Sequence, residues 1–344
     1  MNNDKPGGVA SEQPEPGELH VVVGAGPIGS GIARILAAEG RHVIIVTRSG
    51  SGPEGVVAER VAADASDSGT IARLAEGAAA LYNCVNPPYH RWPELWPPIA
   101  GSLLGAAERG GAVLVTIANL YAYGPASDSQ GTVGYDTARP MTEDTPLAAT
   151  GSKGKVRAQM WRDALAAHQA GRARVTEVRA SDYVGPGAES VLGARVVPNV
   201  LRGKSVAVLG RTDRLHTWTF THDVARMAVV AGSDAKAWGR AWHTPSVAPR
   251  TQRDAVTDLA RAAELNAVPV RAVPAIALSA AGLFSPLMRE LRETRYQFSE
   301  DFVMDSSAAQ NTFGLEPTPW GNVLDVVLRS YGWRGDANNL LSSH

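Results

Sequence analysis

The sequence predicts an α/β fold: a doubly wound parallel sheet with helices on both faces, followed by a smaller C-terminal α+β lobe. Two observations support this prediction. Short runs rich in β-branched residues alternate with helical patterns over residues 19–187, and most of these runs are apolar throughout. Continuous apolar strands that alternate with helices are typical of a parallel sheet that is covered on both faces.

Each strand of the predicted sheet is a short run bounded by turn residues or by a helical pattern. The predicted strands are residues 19–23, 42–46, 59–63, 79–85, 112–118 and 174–179. The helices between them are predicted at residues 28–39, 70–76, 99–109 and 155–170. A segment rich in Gly, Ser and Asp, residues 124–151, precedes the last of these helices, and its length indicates a functional loop.

A glycine-rich turn lies between the first strand and the first helix. Its sequence, Gly24-Ala-Gly26-Pro-Ile-Gly29, has the G-x-G-x-x-G spacing that marks dinucleotide-binding turns in this position. Gly24 permits the tight turn, Gly26 lets the backbone approach a pyrophosphate, and Gly29 lets helix and strand pack closely. Pro27 and Ile28 begin the helix, whose free N–H groups and dipole attract phosphate. We therefore predict a dinucleotide-binding Rossmann domain; the alternative is a glycine turn without a ligand.

The end of the second strand favours NADP over NAD as the cofactor. NAD-selective sites carry an acidic residue near this point, which binds the ribose 2′-hydroxyl. Here the strand continues into Thr47-Arg48-Ser49 without a carboxylate. We expect Arg48 to pair with a 2′-phosphate and the Ser49 hydroxyl to donate to it. The alternative is that Arg48 is an ordinary solvated charge, in which case NAD is the cofactor.

Five further segments follow the predicted strands in a characteristic order. They are Asp64, Asn83-Cys-Val-Asn86-Pro-Pro, Asn119-Leu-Tyr-Ala-Tyr123-Gly-Pro, Arg179-Ala-Ser-Asp182-Tyr-Val-Gly-Pro-Gly187 and Phe220-Thr-His-Asp223-Val-Ala. With these segments the chain resembles the extended short-chain dehydrogenase/reductases, the relatives of nucleotide-sugar epimerases and dehydratases, over residues 19–329. The resemblance implies that Asp64 lies near the adenine and that Asn86 lies under the nicotinamide half of the cofactor.

The catalytic signature that the resemblance implies is incomplete in this chain. The family uses Tyr-x-x-x-Lys, one turn apart on a helix, with a Ser or Thr from the fifth strand. Here Ala149 lies four residues before Lys153, Gly151 lies four residues before Lys155, and Asn119 takes the Ser position. Neither Ala149 nor Gly151 can donate a proton. The sequence therefore predicts an atypical active site with other acid and base groups.

Three residues are candidates for the missing functions. Tyr121 follows the fifth strand, at the edge where open α/β sheets bind ligands, and a nearby lysine would lower its pKa. Asn119 is a candidate donor to a substrate oxygen, and Lys155 is expected to hold the ribose hydroxyls, with Lys153 as the competing choice. The alternatives are structural: Tyr121 and Tyr123 both have packing roles, one under the helix and the other closing the turn, and Asn119 caps the strand end. Metal-ligand spacing is absent from the sequence.

The domain boundaries follow from these elements. We predict a disordered tail at residues 1–18 and an NAD(P)-binding Rossmann domain at residues 19–187, rejoined by about residues 218–247. Residues 188–217 and 248–335 are expected to form the substrate-binding lobe.

Composition limits the classes of partner. The formal net charge of −1 gives no electrostatic case for binding nucleic acid or an anionic membrane. A single cysteine, and the absence of a run of roughly 20 apolar residues, predict a cytoplasmic protein without a membrane span. We expect a monomer or a homodimer that binds a small-molecule substrate.

The leading functional hypothesis is an NADP-dependent oxidoreductase or epimerase-like enzyme that acts on a small hydroxyl- or carbonyl-bearing substrate. A second hypothesis is a non-redox isomerase or cyclase on the same scaffold, and a third is an NADP-sensing regulator without catalysis. The fold cannot decide between them, because one scaffold hosts many chemistries.

Overall fold

The chain adopts the doubly wound α/β architecture that its apolar runs predict. The computed structural model describes residues 17–126, 134–273 and 293–334, so most of the expected tail lies outside the described part. The strands are β1 (Leu19–Val23), β2 (His42–Thr47), β3 (Glu59–Ala62), β4 (Ala80–Asn83), β5 (Val113–Asn119), β6 (Arg174–Ala180), β7 (Asp182–Val184), β8 (Val206–Val208), β9 (Leu215–His216), β10 (Trp218–Phe220), β11 (Arg240–His243), β12 (Arg250–Thr251) and β13 (Val270–Ala272). The helices are α1 (Pro27–Ala38), α2 (Ser68–Leu74), α3 (Trp92–Gly110), α4 (Ser152–Gln169), α5 (Val197–Leu201), α6 (Thr221–Ser233), α7 (Gln252–Ala262), α8 (Ser307–Phe313) and α9 (Trp320–Ser330).

A parallel sheet of seven strands forms the centre of the described structure. Its order is β3-β2-β1-β4-β5-β6-β11, and every neighbouring pair is parallel. The connections change direction between β1 and β4, so the carboxyl ends of these two strands border a crevice of the kind that binds ligands in open α/β sheets. The predicted fold class is confirmed.

Helices cover both faces of this sheet. One core lies between the sheet and α2, α3 and α4, and a second lies between the sheet and α1, α6 and α8. Helices α1 and α6 pack closely because Gly31 has no side chain: a Cβ there would lie 2.9 Å from the Ala225 Cβ. Thus α6 and β11, both from residues 218–247, add a helix and an edge strand to the central sheet.

Two elements of the central unit differ from the sequence prediction. Helix α3 begins at Trp92, seven residues before the predicted start at residue 99, although Pro97 and Pro98 lie inside it. Internal prolines usually end a helix, but the burial of Trp92 and Trp96, both 0% exposed, stabilises this one. Strand β11 was not predicted, because its sequence of four residues includes Arg and His and carries no continuous apolar run.

A third core lies beyond the sheet and is built from β8, β10, α5, α7 and α9. Its helices α7 and α9 contact each other along apolar stripes that include Leu259 and Leu328. The apolar stretch at residues 268–288 of the sequence lies mostly outside the described ranges. Across the described ranges, no helix combines the length and the apolar character that a membrane span needs.

Candidate functional site

The glycine turn after β1 has the geometry that its spacing predicts. Gly24 has a φ of +102°, and a Cβ at this position would lie 2.6 Å from the Cys84 carbonyl oxygen. A Cβ on Gly29 would overlap the carbonyl oxygen of Gly24, so both positions need glycine. Nothing lies within 4 Å of a Cβ built on Gly26, and no side chain caps the first turn of α1. The turn thus leaves open space in front of uncapped N–H groups, which is the arrangement that binds phosphate.

Two cavities meet at this turn. One has a volume of about 340 Å³ and reaches the ends of β2 and β3; the other has a volume of about 270 Å³ and reaches β5 and α4. Gly26, Cys84, Val85 and Asn86 line both cavities. Pro27, Ile28 and Gly29 line the second cavity only. The cavities therefore form one cleft with the amino end of α1 at its middle.

The first cavity contains most of the residues expected around the adenosine half of a cofactor. Arg48 and Asp64 both line it, and hydrogen bonds from the backbone and hydroxyl of Ser66 hold the pKa of Asp64 below its usual value. Ser49 does not line this cavity: its hydroxyl donates to Ser51 at 2.8 Å, because the chain turns away after Arg48. The structure therefore brings Arg48 and Asp64 together in this cavity and places Ser49 outside its lining.

Asn119 lies at the carboxyl end of β5 and lines the second cavity. Its Oδ1 accepts a hydrogen bond from the Tyr121 backbone N–H at 3.1 Å, which fixes the orientation of the amide. The Nδ2 group makes no hydrogen bond within the described residues. Asn119 therefore caps the strand end through Oδ1, and its donor role toward a substrate oxygen stays a prediction.

Arg157 lines the second cavity from α4 and is not among the residues predicted from the sequence. Its guanidinium lies over the rings of Trp92 and Trp96, at 4.8 and 4.3 Å from their centres, and donates to the Ile117 carbonyl oxygen at 3.3 Å. Burial lowers the pKa of Arg157, but an arginine stays charged at neutral pH. Trp92 and Trp96 thus support a fixed cation beneath the cleft.

Lys155 does not reach this cleft. Two residues on a helix are about 200° apart around its axis, so Lys155 faces away from Arg157 and lines a cavity of about 420 Å³ between α3 and α4. Lys155 thus lines a different cavity from the one that contains the glycine turn, and its predicted contact with the ribose is not supported by this placement. A signal was present in the sequence: Arg157 lies four residues after Lys153, the spacing of the family's catalytic pair.

Lys153 begins the same face of α4 and is 1% exposed. Its Nζ donates to the Glu293 Oε2 at 2.9 Å, and its backbone N–H donates to Oε1 at 2.7 Å. Ser152 adds a third hydrogen bond to the same carboxylate at 3.0 Å. Glu293 therefore acts as the cap that the first turn of α4 lacks in its own sequence, since the preceding Gly151 has no side chain.

Tyr121 and Tyr89 form a pair of hydroxyl groups 3.5 Å apart, and Tyr89 lines the second cavity. Burial raises the pKa of both tyrosines, and that of Tyr121 rises well above its usual value. The pKa of Tyr121 is thus raised and not lowered, and the Lys153 ammonium donates to Glu293. Both hydroxyls therefore stay protonated at neutral pH and can act as donors.

The other tyrosines at this edge have structural partners. The Tyr123 hydroxyl lies 2.7 Å from the His243 Nε2 and accepts a hydrogen bond from Arg179 at 2.8 Å. Tyr183 lines the second cavity, and its hydroxyl donates to the Ala118 carbonyl oxygen at 3.1 Å. Burial also raises the pKa of the Cys84 thiol, which keeps it protonated at neutral pH. Within the ranges that the structure covers, no cluster of three His, Cys, Asp or Glu could hold a metal ion.

Solved structures share this fold over nearly the whole chain. A double mutant of dTDP-glucose 4,6-dehydratase from Streptomyces venezuelae, solved with NAD, is 20% identical, with a TM-score of 0.70 over 92% of this chain and 97% of that chain. The same enzyme from Bacillus anthracis, also in complex with NAD, is 16% identical, with a TM-score of 0.72 over 92% and 96%. UDP-glucose 4-epimerase from Thermotoga maritima, solved with UDP-glucose, is 15% identical, with a TM-score of 0.70 over 91% and 98%.

No protein-family model and no curated protein matches this sequence. The structural likeness therefore concerns the fold: the chain has the architecture of the nucleotide-sugar dehydratases and epimerases, as its resemblance to the extended short-chain dehydrogenase/reductases implied.

Proposed function

We propose that this protein is an enzyme that binds a nicotinamide dinucleotide across the two cavities and transfers hydride to or from a hydroxyl- or carbonyl-bearing substrate. The observation that carries the proposal is the shared lining of the cavities at the amino end of α1. A dinucleotide has two bulky halves joined by a diphosphate. This cleft has two cavities, here also called chambers, that meet at the glycine turn, whose free N–H groups suit a phosphate.

The residues of each chamber suit one half of such a cofactor. The uncapped N–H groups after Gly26 would hold the diphosphate, and Asp64 would lie by the adenosine. Arg157, in the second chamber, would take the contact with the nicotinamide ribose that was expected of Lys155. The bound nicotinamide would supply or accept hydride.

The substrate oxygen would lie at the end of β5. The Asn119 amide would donate to it, and the Tyr89 and Tyr121 hydroxyls would act as proton donors. No residue is proposed for the role of the family's catalytic tyrosine on α4, because this helix contains no tyrosine. UDP-glucose and dTDP-glucose are the first substrates to try, because enzymes of this fold act on such sugar nucleotides.

Arg48 supports the finer proposal that NADP is preferred. It lines the adenosine chamber, and no carboxylate ends β2 to bind a 2′-hydroxyl. NAD is the competing cofactor, because two of the structures that share this fold were solved with NAD.

The test is a fluorescence titration with NADPH, NADH and their oxidised forms. We expect Gly26→Ala to raise the Kd for every form at least about tenfold, since a methyl group would fill the phosphate space. Arg48→Ala should weaken NADPH binding about tenfold and change NADH binding less than about twofold. Gly101→Ala is the matched control, because its Cβ also meets open space but lies on α3, away from the turn.

Each result bears on a separate part of the proposal. Unchanged binding in Gly26→Ala would contradict the placement of the diphosphate. Equal losses for NADPH and NADH in Arg48→Ala would contradict the NADP preference alone. Failure of the wild type to bind any of the four nucleotides would overturn the redox function and leave the non-redox isomerase as the hypothesis to test.

A further inference from the structure

A row of three polar side chains, called here the polar row, crosses the middle of the central sheet. Asn83 ends β4, Thr116 lies in β5 and Glu177 lies in β6. The strand register places Asn83 beside Thr116 and Thr116 beside Glu177, at the strand spacing of about 4.8 Å. All three residues are buried, at 2%, 8% and 2% exposed. Strands that are covered on both faces are usually apolar, so this row needs a physical reason.

The polar row lines the inner side of the cavity of about 420 Å³ between α3 and α4. The walls are mainly apolar side chains of the two helices, such as Leu103, Leu104 and Met160, and the exposed Lys155 and Gln159 lie at the outer side. Among the described residues, none that lines this cavity also lines either chamber of the cleft. Apolar walls with a few converging polar groups, in a volume above about 300 Å³, are typical of a small-molecule site.

Each side chain of the polar row has a polar group that makes no hydrogen bond within the described residues. The Asn83 Oδ1 accepts from the Val85 backbone N–H at 3.3 Å, which leaves the Nδ2 group unpaired. The Glu177 Oε1 accepts from the Arg179 Nε at 2.6 Å, which leaves Oε2 unpaired, and the Thr116 hydroxyl has no such partner at all. Because an unpaired buried polar group costs stability, three of them around one cavity indicate a partner from outside the chain.

The unpaired groups define the polar end of that partner. The Asn83 amide donates, the Glu177 carboxylate accepts, and the Thr116 hydroxyl between them can do either. The charge of Glu177 is already compensated by Arg179, so a neutral ligand suits the polar row better than a cation does. The matching ligand therefore carries an acceptor and a donor side by side, as an amide or a lactam does.

We propose that the cavity between α3 and α4 is a second binding site, and that it takes a small neutral molecule with an apolar ring and an amide or lactam at one end. The ligand carbonyl accepts from Asn83, its N–H donates to Glu177, and its ring lies between the two helices. The site is separate from the dinucleotide cleft, and the inference does not rest on the proposed function.

The first test is a calorimetric titration with a matched pair of probes. 2-Quinolinone is a lactam on an apolar ring, and its N-methyl derivative has the same carbonyl but cannot donate. The wild type should bind 2-quinolinone with a Kd below about 1 mM and the N-methyl derivative at least about tenfold more weakly, because the Glu177 carboxylate then stays unpaired. Absence of 2-quinolinone binding at millimolar concentration, or equal affinity for the two probes, would overturn the proposal.

Two glycine variants locate the probe. Gly101 lines the cavity from α3, and a Cβ there meets nothing within 4 Å, so Gly101→Phe should fill the cavity and weaken 2-quinolinone binding at least about tenfold. Gly26→Ala is the matched control: its Cβ also meets open space, but in the glycine turn, and it should change probe binding less than about twofold. Equal probe affinity in Gly101→Phe and the wild type would overturn the proposal.

A second measurement needs no probe. Thr116→Val removes an unpaired hydroxyl at nearly constant shape, so its Tm should equal that of the wild type within about 1 °C or exceed it. Thr176→Val is the matched control on the neighbouring strand: this buried hydroxyl donates to the Arg240 carbonyl oxygen at 3.1 Å, and its loss should lower the Tm by at least about 2 °C. A fall in Tm as large for Thr116→Val as for Thr176→Val would show that the Thr116 hydroxyl has a partner within the chain and would overturn the proposal.

Discussion

The two sides of the cleft are built in different ways. The glycine-turn side consists of six consecutive residues. Its contacts with the rest of the chain are mainly with backbone atoms, such as the Cys84 carbonyl group that lies against Gly24. The α4 side is assembled over long distances: Lys153 and Glu293 are 140 residues apart, and Arg157 reaches back 40 residues to Ile117. A site formed by local backbone geometry can be recognised as a motif, whereas a site formed by distant side chains cannot.

The two sides also differ in how they handle charge. The glycine turn uses backbone N–H groups and has no acidic side chain in the first turn of α1. The α4 side buries two cations, Lys153 on a carboxylate and Arg157 on two indole rings. Substitutions on the two sides should therefore impair the protein for different reasons. Those in the glycine turn cause steric overlap, and those on the α4 side remove a charge or its partner.

The largest effect is expected for Gly29→Ala on the glycine side. The new Cβ would overlap the Gly24 carbonyl oxygen, so the turn or α1 must shift, and we expect a loss of about 3 kcal/mol in the free energy of unfolding. Urea denaturation measures it, with Gly26→Ala as the control that should change stability by less than about 0.5 kcal/mol. Equal stability of the two variants would contradict the close packing of turn and helix.

A smaller effect is expected for Arg157→Met on the α4 side. Methionine keeps much of the volume beneath the cleft, and loss of the stacking on two indoles is offset by removal of a buried cation, so stability should change by about 1 kcal/mol or less. Dinucleotide binding should nevertheless weaken about tenfold, or about 1.4 kcal/mol. Fluorescence titration beside Arg162→Met, an exposed arginine of the same helix, checks this. Unchanged binding would mean that Arg157 is structural only.

The smallest effect, and a pH-dependent one, is expected for Glu293→Gln. Burial opposes the shift, but hydrogen bonds from Lys153 and Ser152 hold the pKa of Glu293 below its ordinary value of 4.5. A carboxylate with a lowered folded-state pKa stabilises the fold above pH 4.5, and this stabilisation is lost as the pH falls through the folded-state value. We expect the variant to be about 1 kcal/mol less stable at pH 7 and equal to the wild type in acid.

Thermal unfolding of both proteins across this pH range measures the difference. Glu316→Gln, which replaces an exposed glutamate, is the control and should follow the wild type at every pH. A stability gap that stays constant into acid would show that the Glu293 charge does not cap α4.

The sequence by itself determined six of the seven strands of the central sheet and the position of the glycine turn. Strands β1 to β6 start and end within two residues of their predicted limits, because short runs rich in β-branched and apolar residues between turn residues form strands in almost any context. The sequence also identified Arg48, Asp64, Asn86 and Asn119. They line the cleft because each lies at the end of a strand, or within three residues after it, and the carboxyl ends of these strands open on the cleft.

Only the tertiary structure decided which side chains complete the other side of the cleft. Lys155 and Arg157 are both basic residues near the start of α4, and the helical rotation between them places only Arg157 at the cleft. The capping of α4 by Glu293 joins residues that are 140 positions apart. No local pattern encodes such a contact, because it depends on how the C-terminal elements pack against the sheet.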